Sequence, residues 1–322
     1  MPQSELKQND FILHHVEWEL PAAEGEPGAE SQKLSWFHLD ARNPETLKWL
    51  TERPSVDDLT ASILCAEETR PRYLDIHNGI LLILRGVNLN EKADPEDMIS
   101  IRLYVDKNQI ITCQLRSLKT ISDLKDRFPK DKPPQSAAHF LTQLIKTLGD
   151  RMAGTLSHLS DVTDLLEEEV IENPSHRLRT DIIHLRKQAI TFRRYLAPQK
   201  DALARLLGND SLLFTPKDRR RFQEGYDQMF RYLEDLDAIR ERCQVIQDEL
   251  GNTLAEKLNS RLYLLSLVTG IFLPLGFLTG LFGINIGGLP GVDTPTAFWV
   301  FVSSMGLVIV FQLLLFRIFK WF

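Results

Sequence analysis

The rhythm of apolar and polar positions changes along this chain, and each change predicts a different kind of element. In residues 11 to about 115 the apolar runs are short. FILHHVEWEL (11–20) and SWFHLD (35–40) predict strands, separated by a loop, PAAEGEPGAE. Pro44–Leu50 and Val56–Cys65 predict short helices. YLDIHNGILLILRGVNL holds a His-Asn-Gly turn between apolar runs, a hairpin signal, and ISIRLYVDKNQIITCQL repeats it around Asp106-Lys107-Asn108. Residues 1–134 therefore predict a cytosolic α/β domain with a small mixed sheet.

After Pro134 the period lengthens. Phe140, Leu144, Leu148, Met152, Leu156, Leu159, Val162 and Leu166 recur at three- and four-residue steps, the stripe of a long amphipathic helix. Asn173-Pro174-Ser175 breaks it, and a second helix runs to about Leu207, giving a helical pair over 135–216. From Lys217 the helical pattern meets no proline before Pro274. Continuous to Phe282, such a helix would be about 100 Å long at about 1.5 Å per residue. Its first part, 217–261, would be a stalk.

Then charge vanishes. Residues 262–292 hold no charged side chain, nor do 294–316. LYLLSLVTGIFLPLGFLTGLF (262–282) and AFWVFVSSMGLVIVFQLLLF (297–316) each match a hydrocarbon core of about 30 Å. Two such runs in tandem argue against a buried helix of a soluble protein. Lys257 and Arg261 precede the first span, Arg317 and Lys320 follow the second, and the 283–296 loop has neither Lys nor Arg. The positive-inside rule then predicts both termini in the cytoplasm, including the short tail 317–322, and the loop outside. Trp299 and Trp321 sit where interfacial aromatics are expected.

Composition adds exclusions. A net charge of −6 argues against nucleic-acid binding, so Arg219-Arg220-Arg221 reads as a solvated helix face. The N-terminus lacks a basic start and apolar core, so no secretory signal is expected. Three distant cysteines, Cys65, Cys113 and Cys243, do not make a disulfide framework. No nucleophile motif, Walker A loop or dinucleotide fingerprint points to an enzyme.

The candidate chemistry lies along the long helix. Asp248, Asn252, Ala255, Asn259, Leu262, Ser266, Thr269, Leu273, Gly276 and Gly280 follow alternating steps of four and three, so they share one face. Such a stripe serves either close helix packing in lipid or a water-filled pathway around an axis. Two helices cannot enclose a pore, so the second reading needs an oligomer. Just beyond the first span, GLFGINIGGLPGV (280–292) places Gly283, Ile284 and Asn285. The Asn285 carbonyl can accept from ion-bound water without adding charge, and in a ring it would form a polar mouth. Gly and Asn also end helices, so three residues alone do not decide.

The combination is more specific. A large acidic α/β domain, long helices, two C-terminal spans and a Gly-X-Asn at their junction resemble the CorA metal-ion transporter superfamily. That superfamily carries Gly-Met-Asn; Ile284 departs from it and looks like the ZntB zinc-transporter branch, as do ETRPR (68–72) and RRYLAPQKD (193–201). The resemblance implies an α+β membrane protein of CorA-like fold, a homopentamer in the cytoplasmic (inner) membrane with no cofactor. It implies a selectivity signature at Gly283, Ile284 and Asn285, and a pore lined by Asn259, Leu262, Ser266, Thr269 and Leu273 of each first span.

Zinc itself is what the resemblance implies, because the spans contain no His, Cys, Asp or Glu. His14-His15 point to opposite faces of a strand, His158, His176 and His184 lack ligand spacing, and Glu167-Glu168-Glu169 is a solvated run or a diffuse cation attractor. A hydrated ion passing hydroxyl and carbonyl rings fits better than a dehydrated zinc site. The first acid after the signature is Asp293, and a proton relay would have to use it or the cytosolic part. A magnesium, cobalt or nickel channel is the alternative; a membrane-anchored sensor or scaffold is the second.

Overall fold

The computed structural model describes residues 10–20, 32–76, 79–208, 214–283, 291 and 294–318. It divides into two compact units, Met1–Asp248 and Glu249–Phe322.

The first unit is built on Ile12–Leu20 (β1), Gln32–Asp40 (β2), Arg72–Ile76 (β3), Gly79–Gly86 (β4), Ile99–Val105 (β5) and Gln109–Gln114 (β6). They lie in the order β1-β2-β6-β5-β4-β3. The β2–β6 pair is parallel and the others antiparallel, so the sheet is mixed, as expected. In the β5–β6 turn the Asp106 carboxylate accepts from the amides of Asn108 (2.7 Å) and Gln109 (2.8 Å), which fixes the chain reversal. The other expected turn, at His77-Asn78, lies outside the described residues.

Helices cover both faces. Pro44–Thr51 (α1) and Asp58–Cys65 (α2) bury Leu50, Val56, Ala61 and Leu64 against Phe37, Leu39, Leu81, Tyr104 and Ile111. Asn43 caps α1 and Asp57 caps α2 through the Thr60 amide at 2.6 Å. That cap starts α2 at Asp58, two residues after the sequence-based boundary, and leaves Val56 for the core. On the opposite face Trp18 and Trp36 meet Phe128 and Phe140. The helices there are Lys119–Arg127 (α3), Ala137–Glu172 (α4) and Leu178–Leu207 (α5). Cover on both sides explains why β4 and β5 read as continuous apolar runs instead of alternating.

The pattern did not reveal α3. It is short, has no side-chain N-cap bond, and buries little beyond Ile121 and Leu124, too few positions to establish a period. Side chains mark the starts of two of the long helices. Ser136 caps α4 by accepting from the His139 amide, and Asn173 closes it. Pro216–Phe282 (α6) starts with a reciprocal capping box, in which Thr215 and Asp218 each accept from the other's amide at 3.2 Å.

Within the first unit α6 lies close against α4. A Cβ on Gly225 would fall 2.7 Å from Ile145 Cγ2, and one on Gly149 would strike the Gln228 side chain. Tyr232 Oη donates to the Gly149 carbonyl at 3.0 Å. Arg242 reaches back to Asp164 (2.6 Å) and Glu167, and Arg193 of α5 to Asp237 of α6 (2.7 Å).

The second unit contains the rest of α6 and Ala297–Ile318 (α7). Both are long and apolar enough to cross a membrane, and almost none of either apolar window is buried within the chain.

Candidate ion pathway

The pathway question turns on which faces α6 and α7 present to each other. On α6 from Leu262 onward the partly covered positions are Leu267, Gly270, Ile271, Pro274, Leu275 and Leu278. On α7 they include Ala297, Phe301, Met305, Val308, Gln312 and Phe316, spaced by four and three as a packing seam requires. Phe282 and Phe301 meet edge to face at 5.4 Å.

A polar contact in this seam has a definite cause. Pro274 has no N–H, so α6 leaves the carbonyl four residues earlier, that of Gly270, without its helical donor. Gln312 Nε2 of α7 approaches that oxygen at 3.4 Å. The missing Cβ of Gly270 matters here, since one would lie 3.2 Å from the Phe316 ring. In hydrocarbon an unpaired backbone carbonyl has no water to turn to, which accounts for a glutamine in an otherwise apolar span.

The polar stripe lies elsewhere on α6. Every one of Asp248, Asn252, Ala255, Asn259, Leu262, Ser266, Thr269, Leu273, Gly276 and Gly280 is exposed. Measured from Leu262 to Gly280, the stripe is centred about 150° around the helix from the α7-facing seam, at about 100° per residue. Packing against the chain's own second span therefore does not account for these small and polar residues. A Cβ on Gly276 or Gly280 would meet nothing within 4 Å. The hydroxyls differ correspondingly. Thr279 and Ser304, off the stripe, bond the carbonyls of Gly276 (3.0 Å) and Phe301 (2.7 Å), whereas Ser266 and Thr269 have no side-chain partner among the described residues.

Gly283 ends α6. Its amide bonds the Thr279 carbonyl at 2.8 Å, and a Cβ there would sit 2.8 Å from that same oxygen, so the position favours glycine. Ile284 and Asn285 lie outside the described residues.

The histidines behave as the strand geometry predicts. His14 meets Trp36 and His15 stacks on Phe37, on opposite faces of the sheet. Burial, then the Lys125 charge, lowers the His14 pKa to about 4 and the His38 pKa to about 3, so both rings are neutral at physiological pH. His158, His176 and His184 are exposed, and Glu167 is occupied by Arg242. No group of three or more His, Cys, Asp or Glu side chains that could hold a metal occurs among the described residues. Sequence reasoning missed the Gln312–Pro274 pairing; the signal was present, a lone amide in one span and a lone proline in the other.

An α/β unit with helices on both faces of its sheet thus precedes two membrane-length helices, the first of which has an open polar face. The family described as CorA-like Mg2+ transporter protein matches residues 31–318, and the chain belongs to it. The chain is 39% identical over 292 residues to the divalent cation transporter CmaX of Pseudomonas aeruginosa, covering 89% of this chain and 87% of that protein. It is 34% identical over 279 residues to the zinc transport protein ZntB of Pectobacterium carotovorum, covering 87% and 85%. The solved full-length CmaX structure superposes with a TM-score of 0.81 at 33% identity, covering 97% of this chain and 98% of that one. The chain is thus a divalent cation transporter of the CorA type.

Proposed function

We propose that this transporter carries zinc across the cytoplasmic membrane as a homopentamer. The first spans surround a central pore, and both termini are cytosolic. One observation supports the reading most directly. The oxygen-bearing stripe of α6 is open and faces away from α7, which leaves Ser266 and Thr269 available to other copies of the chain or to water held between them. Kinship to zinc transport proteins supplies the ion. Asn259, Leu262, Ser266, Thr269 and Leu273 line the narrow part, with Asp248 and Asn252 below and Gly276 and Gly280 above. Gly283, Ile284 and Asn285 form the outer mouth. The described residues offer no ligand cluster to strip the ion, so in this reading zinc passes hydrated, and selectivity comes from ring size and carbonyl dipoles.

The test is metal flux in proteoliposomes of purified protein, read with an internal zinc dye, with and without an imposed pH gradient. Zinc entry that the gradient accelerates supports proton coupling as well. Magnesium, cobalt or nickel entry without zinc entry assigns the other cargo, the reading favoured by kinship to a broader divalent cation transporter. No metal entry leaves a tethered sensor or scaffold.

A further inference from the structure

Three arginines converge on a cavity of about 470 Å³ in the first unit, lined by Arg70, Arg85, Arg194, Tyr195, Glu67 and Glu68. The cavity joins the two segments ETRPR and RRYLAPQKD, more than a hundred residues apart in sequence, and neither has a role in the pathway along α6.

Its floor is built. The Arg85 amide on β4 bonds Gln199 Oε1 at 2.6 Å. Its guanidinium donates to the carbonyls of Met98 and Thr69, each at 2.7 Å, and lies 4.3 Å from the centre of the Tyr195 ring. Its Nε is buried with no partner. Arg194 donates to Tyr195 Oη at 2.9 Å and also packs over that ring, at 4.8 Å.

What these arginines lack is a counter-ion. Nearby Arg116 is paired with Asp97 and Arg193 with Asp237. Among the described residues no carboxylate lies within 4 Å of Arg70, Arg85 or Arg194, although Glu67 and Glu68 line the same cavity. Carbonyls and a π-face orient a guanidinium but do not neutralise it. Burial depresses the Arg85 pKa; Tyr195 and the more distant Asp97 oppose the shift, and Arg116 and Arg194 add to it. Planar guanidiniums around a pocket of this size match the oxygens of a phosphate, which they hold through paired, charge-assisted hydrogen bonds.

We propose that this cavity binds a phosphate ester of a hydroxyl-rich small molecule, the phosphate on Arg70, Arg85 and Arg194 and the hydroxyls donating to Glu67 and Glu68. The site is separate from the stripe on α6, and its occupant is a ligand of the soluble unit, not cargo.

The experiment is calorimetric titration of the full-length protein in detergent with inorganic phosphate and with ribose 5-phosphate, with ribose as control. Both phosphates bind saturably, the ester more tightly, and ribose does not bind. Arg70→Ala and Arg194→Ala, both at exposed positions, each weaken binding about tenfold or more, the loss of one charged hydrogen-bonded contact. Circular dichroism melts verify that both variants fold. A joint Glu67→Gln, Glu68→Gln variant tightens inorganic phosphate and reduces the preference for the ester. Absence of saturable binding at millimolar phosphate overturns the proposal. So does binding that both arginine variants retain, or a preference for ribose over its phosphate.

Discussion

His38 is a single residue whose environment makes a measurable statement about pH. It is buried, its Nδ1 is 2.9 Å from Thr112 Oγ1, and it faces His14 across the β1–β2 pair. Burial and then Lys125 bring its pKa down to about 3, against 6.5 for a free imidazole. Between those values the unfolded chain binds a proton that the folded chain refuses. Stability is therefore complete above about pH 6.5 and falls as pH drops, by up to about 1.4 kcal/mol per pH unit for one such group. His14 adds to the slope over a narrower window, since its pKa is lowered only to about 4. Urea unfolding followed by tryptophan fluorescence should show this loss between about pH 6.5 and 5, above most carboxylate titrations. His38→Phe should flatten it, because Thr112 still donates to the Phe37 carbonyl (3.2 Å) and accepts from Trp36 Nε1 (2.9 Å). An unchanged slope in that variant would assign the acid sensitivity elsewhere.

Between elements, two contacts can be tested by making opposite predictions. Glycine costs a helix interior about 1 kcal/mol relative to alanine, so alanine should stabilise wherever space allows. At Gly154 of α4 nothing lies within 4 Å of the new methyl, and Gly154→Ala should raise stability by up to about 1 kcal/mol. At Gly225 the methyl would press on Ile145, and Gly225→Ala should lower it by about 1–3 kcal/mol despite the better propensity. Denaturation midpoints of the two variants check the pair; equal shifts would deny the close α4–α6 approach. The α6–α7 seam allows a cycle. Gln312→Leu strips the Gly270 carbonyl of its donor and should cost about 0.5–2 kcal/mol. Pro274→Ala returns an N–H to that carbonyl, so the double variant should lose less than the sum of the two single changes. Thermal melts in detergent measure the coupling, and simple additivity would mean that Gln312 has another purpose.

For the whole transporter, the prediction concerns which faces meet water once copies assemble. Cysteines placed at Ser266 and Thr269 should react with a small charged thiol reagent in membranes. Those at Leu264 and Val268, exposed on other faces of the same helix, should not. Reaction of all four to the same extent would remove the pore reading. Asn285→Ala should slow zinc entry into proteoliposomes without unfolding the protein, whereas a scaffold would tolerate it.

Much of this was legible in the linear order of residues. Two uncharged apolar runs of membrane length, the amphipathic period from Phe140 onward, and the Asn173-Pro174 break are local signals. They rest on hydrocarbon thickness, helix pitch and the missing proline N–H, none of which depends on distant contacts. The steps of four and three from Asp248 to Gly280 also fixed that those residues share a face. What the run of letters could not decide was the use of that face. Packing and pathway predict the same small residues, and only the placement of α7 on the side of Leu267, Gly270, Ile271 and Pro274 separated the stripe from the chain's own seam. Strand order, the pairing of Gln312 with a carbonyl freed by Pro274, and the meeting of ETRPR with RRYLAPQKD around unpaired arginines are likewise tertiary facts. Each joins residues far apart in sequence. Burial and hydrogen bonding select such pairings only when the whole core forms, so no local pattern can encode them.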